Sequence, residues 1–119
     1  MGYELSENYQ NLIYAIVRQA VEDYRFCKLY LRTHHRTAEM EATVAKQVAR
    51  RKKREERRER EGLPPIQEKR SREELLLRRI DRAEFLLADA TAFFHSDWFY
   101  MLTDVDGSVI LERLEEEFA

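Results

Sequence analysis

Few residues of this chain have the types and spacing that catalysis requires. His95, Ser96 and Asp97 are the residue types of a hydrolytic triad, and they stand in consecutive positions. A triad is defined by geometry, which adjacency in sequence does not build. A Ser followed by an acidic residue is typical of a helix start, where the hydroxyl caps the first turn. We therefore predict no catalytic residue and a protein that is not an enzyme.

Two motifs suggest metal binding, and both lack necessary ligands. Residues 104–107 read Asp-Val-Asp-Gly, as in an EF-hand loop, but alignment on the glycine places Leu102 and Arg113 at the first and last ligand positions. Those positions require carboxylates. The adjacent His34 and His35 cannot share one helix face, and no Cys or acidic partner lies nearby at ligand spacing. We predict turns at both places, and neither a metal nor another cofactor.

A basic run is the strongest candidate for partner binding. Residues 50–61 contain eight basic and four acidic side chains. Lys and Arg can neutralise phosphates, yet the interleaved Glu residues oppose this, and no aromatic residue for base stacking lies between Leu31 and Glu84. A solvated helix face, a protein-binding surface and a nucleic-acid footprint all remain open, in that order of preference. The candidate partner-binding residues are Arg50, Arg51, Lys52, Lys53, Arg54, Arg57 and Arg58.

The composition predicts one domain made mainly of long helices. The chain has 119 residues, of which only three are Gly and two are Pro, and 37% are charged. The 21 basic and 23 acidic residues give a net charge of −2. The single Cys27 excludes an intramolecular disulfide, and its place on an apolar stripe predicts a small buried side chain. No signal sequence or membrane span is apparent, so we expect a soluble cytoplasmic protein with no membrane partner.

Two apolar stripes with alternating steps of four and three predict the main helices. One helix should run from about residue 7 to about residue 32, capped by Ser6 after a loosely held lead-in over Met1–Leu5. The second should run over Arg72–Phe94, after a capping box formed by Ser71 and Glu74. The first stripe is Tyr9, Ile13, Ile16, Ala20, Tyr24, Cys27 and Leu31, and the second is Leu76, Ile80, Ala83, Leu87, Ala90 and Phe94.

The rest of the chain predicts three further helices. The segment 37–61 has a thin apolar stripe, so we expect it to pack only by its Met40 end and otherwise to project, until Gly62–Pro65 ends it. A short helix capped by Ser96 and a closing amphipathic helix should follow. Five of the thirteen aromatic residues lie between Phe93 and Tyr100, and this aromatic block should cover the core.

We therefore predict an all-α fold. It is a small helical bundle built on an antiparallel pair, the first helix against the helix over Arg72–Phe94. A charged projecting helix and two short C-terminal helices complete it. The whole chain, 1–119, should form one domain, with 37–70 a charged helical insertion. Trp98 should be largely buried, so that Trp98→Ala costs about 3–5 kcal/mol. The predicted core residues are Ile16, Ala20, Tyr24, Leu87, Phe94 and Trp98.

Two stretches carry a resemblance to a known group of proteins. Residues 11–25 contain Ala-Ile-Val-x-Gln-Ala-Val-x-Asp-Tyr-Arg, and residues 93–107 read Phe-Phe-x-Ser-x-Trp-Phe-x-x-Leu-Thr-Asp-Val-Asp-Gly. Together they resemble a family of small proteins encoded by prophages and conjugative elements of Gram-positive bacteria. The match covers about the first thirty and the last forty residues. In that family a short linker usually joins the two parts, so the resemblance implies that the charged middle was inserted.

The resemblance also implies a function class. Small mobile-element proteins of this kind often bind and block host machinery, including CRISPR effectors. The leading hypothesis is a non-enzymatic interaction protein that inhibits a host nuclease or another nucleic-acid-processing or defence protein. The second is a nucleic-acid-binding accessory protein that uses residues 50–60. The third is a structural homodimer.

Overall fold

Five helices form the protein. A computed structural model describes residues 2–119, with side chains from Glu7 onward. The helices are α1 (Gly2–Thr33), α2 (Ala38–Arg60), α3 (Arg72–Phe94), α4 (Asp97–Leu102) and α5 (Gly107–Glu117), and the described residues contain no strand. The predicted all-α helical bundle is confirmed.

Short side chains cap four of the helices, and two of these caps, Ser71 and Ser96, are at the predicted places. The hydroxyl oxygens of Ser71 and Ser96 accept the backbone N–H of the third following residue, at 3.1 Å in each case. Thr37 caps α2 in the same way. Asp106 accepts the N–H of Ser108 at 2.9 Å, which makes the predicted turn at 104–107 the start of α5. These bonds satisfy amide groups that have no partner within the helix.

The start of α1 differs from the prediction. The helix begins at Gly2, so Ser6 lies inside it and is not its cap. No proline interrupts the first residues, and most of those before Ser6 are compatible with a helix. The lead-in predicted over Met1–Leu5 is therefore wrong from Gly2 onward, while Met1 lies outside the described residues.

The chain divides into two compact units. The terminal unit comprises the chain up to Thr33 together with Ala83–Ala119, and the central unit is His34–Arg82. The boundary falls within α3, whose first half belongs to the central unit. Both stretches that carry the family resemblance lie in the terminal unit. That residues 37–70 are an insertion stays a prediction.

The terminal unit has an aromatic core. Ala20, Tyr24 and Phe94 lie in it, as predicted, and Leu87 packs at its edge, whereas Ile16 is half-buried. The buried residues of the core cluster are Ala20, Tyr24, Ala90, Phe94, Phe99, Leu111 and Leu114. Residues of α1, α3, α4 and α5 therefore share one apolar interior.

Phe99, not Trp98, is the aromatic residue of α4 that enters this core. Trp98 is 53% exposed, whereas Phe99 has no exposed surface, so the predicted burial of Trp98 is wrong. One residue turns a helix by 100°, and α4 is oriented with Phe99 inward. The Phe99 ring makes edge-to-face contacts with Phe93 and Phe94, with centroids 5.5 and 5.6 Å apart. Such contacts stabilise aromatic clusters beyond the burial of area.

Gly107 lets α5 begin directly against α3. A Cβ atom at this position would overlap the backbone carbonyl oxygen of Phe94. The buried glycine is thus required by close approach of two backbone segments. It fixes where the C-terminal helix joins the terminal unit.

The central unit is an antiparallel pair, α2 against the first half of α3. Contacts run along the pair from Arg36–Asp81 through Gln47–Ser71 to Arg54–Glu68. The expectation that α2 packs only by its Met40 end is therefore wrong. The prediction considered only the apolar side chains of α2. The C-terminal half of the helix is held by polar contacts instead.

Candidate protein-binding surface

Arg51, one of the predicted partner-binding residues, is used inside the central unit. Its guanidinium donates two hydrogen bonds to the Glu74 carboxylate, at 2.8 and 2.7 Å. Arg70 donates a third at 3.4 Å. The bonds from Arg51 are the main reason that the pKa of Glu74 falls from 4.5 to about 2, although burial acts in the opposite direction. Glu74 is 5% exposed, so this is a buried charged group with its counter-ions in place.

Three more of the predicted residues have partners in the same unit. Arg54 pairs with Glu68 at 2.8 Å and Arg57 with Glu61 at 3.2 Å. Arg58 donates two bonds to the carbonyl oxygen of Pro64, at 3.0 and 2.8 Å. These bonds hold the segment after α2 along the helix. Arg50, Lys52 and Lys53 are exposed, and their role in partner binding stays a prediction.

Of the three residues considered for catalysis, Ser96 has a structural role. The Ser96 hydroxyl donates to the carbonyl of Phe93 at 2.6 Å while it accepts from Phe99. Cys27 is buried, as predicted, and burial raises the pKa of its thiol, which lowers the fraction of reactive thiolate. In the described part of the chain, no three His, Cys, Asp or Glu residues cluster so that they could hold a metal ion.

Helix α4 carries three exposed large apolar side chains next to the core residue Phe99. Trp98 and Tyr100 are each 53% exposed, and Met101 is 81% exposed. They project from three sides of a short helix whose fourth side carries Phe99. We call Trp98, Tyr100 and Met101 the α4 ridge. Residues of these types are enriched where proteins bind one another.

A groove lies on one side of the α4 ridge. It has a volume of about 340 Å³ and is bordered by α1, α3 and Trp98. We call it the Trp98 groove. Its lining residues are Ala15, Ile16, Gln19, Ala20, Asp23, Leu86, Asp89, Ala90, Phe93 and Trp98. It is apolar apart from Gln19 and two carboxylates.

A second groove, of about 530 Å³, reaches α4 at Phe99 and Leu102. We call it the Tyr14 groove, since Tyr14 is 77% exposed there. Its lining residues are Tyr9, Gln10, Ile13, Tyr14, Val17, Phe99, Leu102, Thr103, Asp104, Val105 and Ile110. Of the α4 ridge, Trp98 lines the first groove, and the second groove contacts α4 through Phe99 and Leu102.

Charge is divided unequally between the two units. The terminal unit has thirteen acidic and five basic residues, a net charge of −8, and the central unit has ten acidic and sixteen basic residues, a net charge of +6. The net charge of −2 conceals this division. The ridge and its grooves therefore belong to a strongly acidic unit, which favours basic partners.

Sequence reasoning missed the ridge because it treated every aromatic residue of the block as core. A signal was present: residues 98–101 are four consecutive large apolar side chains. Successive residues point 100° apart on a helix, so one face of a short helix cannot bury all four. At least one had to be exposed. Which one was not decided by the spacing.

No helix within the described residues is long and apolar enough to cross a membrane. Comparisons of the chain with protein-family models, with curated proteins and with solved structures found no match.

Proposed function

We propose that this chain is a non-enzymatic interaction protein of a phage or mobile genetic element, and that its terminal unit binds a host protein through the α4 ridge. The observation that carries the proposal is the exposure of Trp98, Tyr100 and Met101 on one short helix, with Trp98 bordering an apolar groove. Contiguous exposed apolar surface marks interaction sites on soluble proteins.

The ridge has the features of an energetic centre for binding. Trp and Tyr dominate the binding energy of many interfaces, because they bury large areas with few rotatable bonds. The Phe93 ring packs edge-to-face against the Trp98 ring, with ring centroids 5.5 Å apart. Phe99 anchors α4 in the core. The ridge is therefore held in place before a partner arrives, which reduces the entropy lost on binding.

The class of host protein follows from the resemblance described above and from charge. The resemblance supports a mobile-element origin and a target among host nucleases, CRISPR effectors or other nucleic-acid-processing proteins. Such proteins present basic surfaces to phosphates. A terminal unit with a net charge of −8 is complementary to a surface of that kind.

The alternative is a nucleic-acid-binding accessory protein that uses the basic run. The in-chain bonds of Arg51, Arg54, Arg57 and Arg58 weigh against it. Four exposed cations of the run remain for phosphates: Arg50, Lys52, Lys53 and Arg60. A structural homodimer is the third candidate, since the ridge could equally cover a second copy.

Affinity capture with paired variants tests the proposal. The full chain is immobilised and exposed to lysate of a Gram-positive bacterium, with and without nuclease treatment. The ridge variant carries Trp98→Ala, Tyr100→Ala and Met101→Ala. The basic variant carries Arg50→Gln, Lys52→Gln and Lys53→Gln, and leaves Arg51 in place because Glu74 depends on it. A control removes exposed apolar side chains elsewhere in the terminal unit, at Leu29 and Phe85.

We expect a protein that survives nuclease treatment, is lost from the ridge variant and is retained by the basic variant and the control. Loss with nuclease and with the basic variant would favour the alternative. Light scattering measures the oligomeric state of the purified chain. A dimer that the ridge variant converts into a monomer would favour the third candidate, a structural homodimer.

A further inference from the structure

We propose that the Trp98 groove is the docking site for a basic amphipathic segment of the partner protein. This inference rests on the proposed function and names the chemistry that its partner should present. An apolar side chain of that segment would lie on the groove floor, and an adjacent Lys or Arg would face Asp23 and Asp89.

The floor of the groove is shaped to receive a side chain. Ala20 and Ala90 are the buried residues at its base, and their small side chains leave the space above them open. Ile16 and Leu86, both half-buried, provide apolar walls. In α1 the groove extends from Ala15 to Asp23, eight residues or about 12 Å. That length matches about two turns of a docked helix.

The charges that line the groove have one sign. Asp89 is exposed and Asp23 is half-buried, and among the described residues that line the groove there is no Lys or Arg. Asp23 accepts one hydrogen bond, from the Gln19 amide at 2.8 Å. A carboxylate has about four acceptor positions, so this bond leaves capacity for a cation.

Trp98 adds a third element that favours a cation. Its half-exposed indole borders the same groove, and an aromatic face attracts Lys and, more often, Arg. The net charge of −8 on the terminal unit acts in the same direction. The Tyr14 groove differs, because a single carboxylate, Asp104, lines it. Charge complementarity therefore selects the Trp98 groove for a basic segment.

Selection from a random peptide library tests this without assuming a partner. Displayed peptides of about 12 residues, long enough for helical anchors at i, i+4 and i+7, are selected on the immobilised full chain. The buffer contains about 0.15 M salt, where the Debye length is about 8 Å, so distant charges contribute little. Selected peptides are synthesised without Trp and titrated against the chain. Trp98 is the only Trp in the protein, and its fluorescence therefore reports from the groove itself.

Two double variants with the same change in charge distinguish the effect of the groove carboxylates from the effect of the overall negative charge of the terminal unit. Asp23→Asn with Asp89→Asn alters the groove, and Glu112→Gln with Glu116→Gln alters exposed carboxylates of the same unit outside it. We expect selected peptides rich in Lys or Arg beside Leu, Phe or Met, with a shift in Trp98 fluorescence. The groove pair should weaken binding by about three- to tenfold and the control pair by less than about twofold.

Other outcomes overturn the inference. These are failure to select any peptide, selected peptides without basic residues, an unchanged Trp98 signal, or equal weakening by the two double variants. If the Asn variant does not fold, Ala15→Arg serves in its place, because it fills the groove from an exposed position; binding that survives this change also overturns the inference.

The lysate experiment distinguishes failure of this inference from failure of the proposed function. A host protein that is lost from the ridge variant but retained by the Asp23→Asn, Asp89→Asn variant refutes the basic segment and leaves the α4 ridge standing. Retention by both variants refutes both.

Discussion

The two units of this chain are stabilised by different means. The terminal unit buries aromatic rings: Tyr24, Phe94 and Phe99 are each at most 3% exposed. The central unit buries little apart from Val44 and Ile80, and its most enclosed polar group is Glu74 between Arg51 and Arg70. A helix with a thin apolar stripe can still be held along its length if polar side chains are aligned with its partner.

Each unit should therefore be vulnerable to a different kind of change. Burial of apolar area is insensitive to pH and strengthened by many salts. A charged group with its counter-ions depends on protonation and on both partners being present. Substitutions in the terminal unit should therefore act through packing, and substitutions in the central unit through charge.

The largest effect should come from Phe99→Ala. It removes a ring with no exposed surface from the centre of the aromatic cluster, and we expect a loss of about 3–5 kcal/mol. Trp98→Ala is the matched control, one residue away on the same helix, and should cost only about 1 kcal/mol because it loses mainly the edge contact with Phe93. Urea denaturation followed by circular dichroism measures both. Equal losses would mean that Trp98 also belongs to the core.

Two glycine substitutions compare the units directly. Gly107→Ala brings a Cβ onto the Phe94 carbonyl in the terminal unit and should cost about 1–3 kcal/mol or more. Gly62→Ala meets open space in the central unit, but its φ of +69° costs an L-residue about 1–2 kcal/mol. Thermal melts of the two variants should rank Gly107→Ala as the more destabilised, and the reverse order would contradict the close approach of α5 to α3.

Glu74→Gln should lower the melting temperature by several degrees. The change keeps the shape of the side chain but leaves Arg51 without its carboxylate partner in a shielded place. Glu73→Gln is the control, since it removes the same charge from the exposed neighbouring position. Hydrogen exchange should locate the loss in His34–Arg82. A uniform loss across both units would show that they unfold together.

The same carboxylate predicts how the stability of the central unit depends on pH. The pKa of Glu74 is about 2 in the folded chain and 4.5 ordinarily, so the folded state binds the proton less readily. Its contribution should be fully present above about pH 4.5 and be lost as the pH falls toward 2. Denaturation of the parent and of Glu74→Gln across this range should converge at low pH. A constant difference would disprove the lowered pKa.

The smallest effect on stability should come from the basic variant with Arg50→Gln, Lys52→Gln and Lys53→Gln. These side chains are exposed, and we expect changes within about 0.5 kcal/mol. Arg51→Gln, by contrast, should destabilise the central unit as Glu74→Gln does. Charge alone does not distinguish Arg51 from its neighbours in the basic run, whereas its bonds to Glu74 do.

The basic variant also tests nucleic-acid binding. We expect the parent to bind naked DNA or RNA weakly at physiological salt. Submicromolar binding that is lost in the variant, with log affinity falling by about 0.7–0.9 per phosphate for each unit of log salt, would favour the nucleic-acid-binding alternative. Fluorescence anisotropy over a salt series measures it.

The amino-acid sequence determined the local features of this protein. Apolar spacing, helix-forming composition and capping residues together predicted the presence of every helix, and Ser71 and Ser96 marked the starts of α3 and α4. These features depend on residues three or four positions apart, whose interactions are visible in the sequence itself. The start of α1 was placed too late, because helix ends have weaker signals than helix interiors.

Contacts between side chains that are far apart in the chain depend on how the helices pack, which the spacing of residues does not reveal. Glu74 and Arg51 are 23 residues apart, and no period in the sequence links them. Whether Phe99 or Trp98 enters the core depends on how α4 is rotated about its own axis when it packs against α1, α3 and α5. A rotation of 100° would exchange the two side chains. The orientation that buries Phe99 is the one that leaves Trp98 half-exposed beside Asp23 and Asp89.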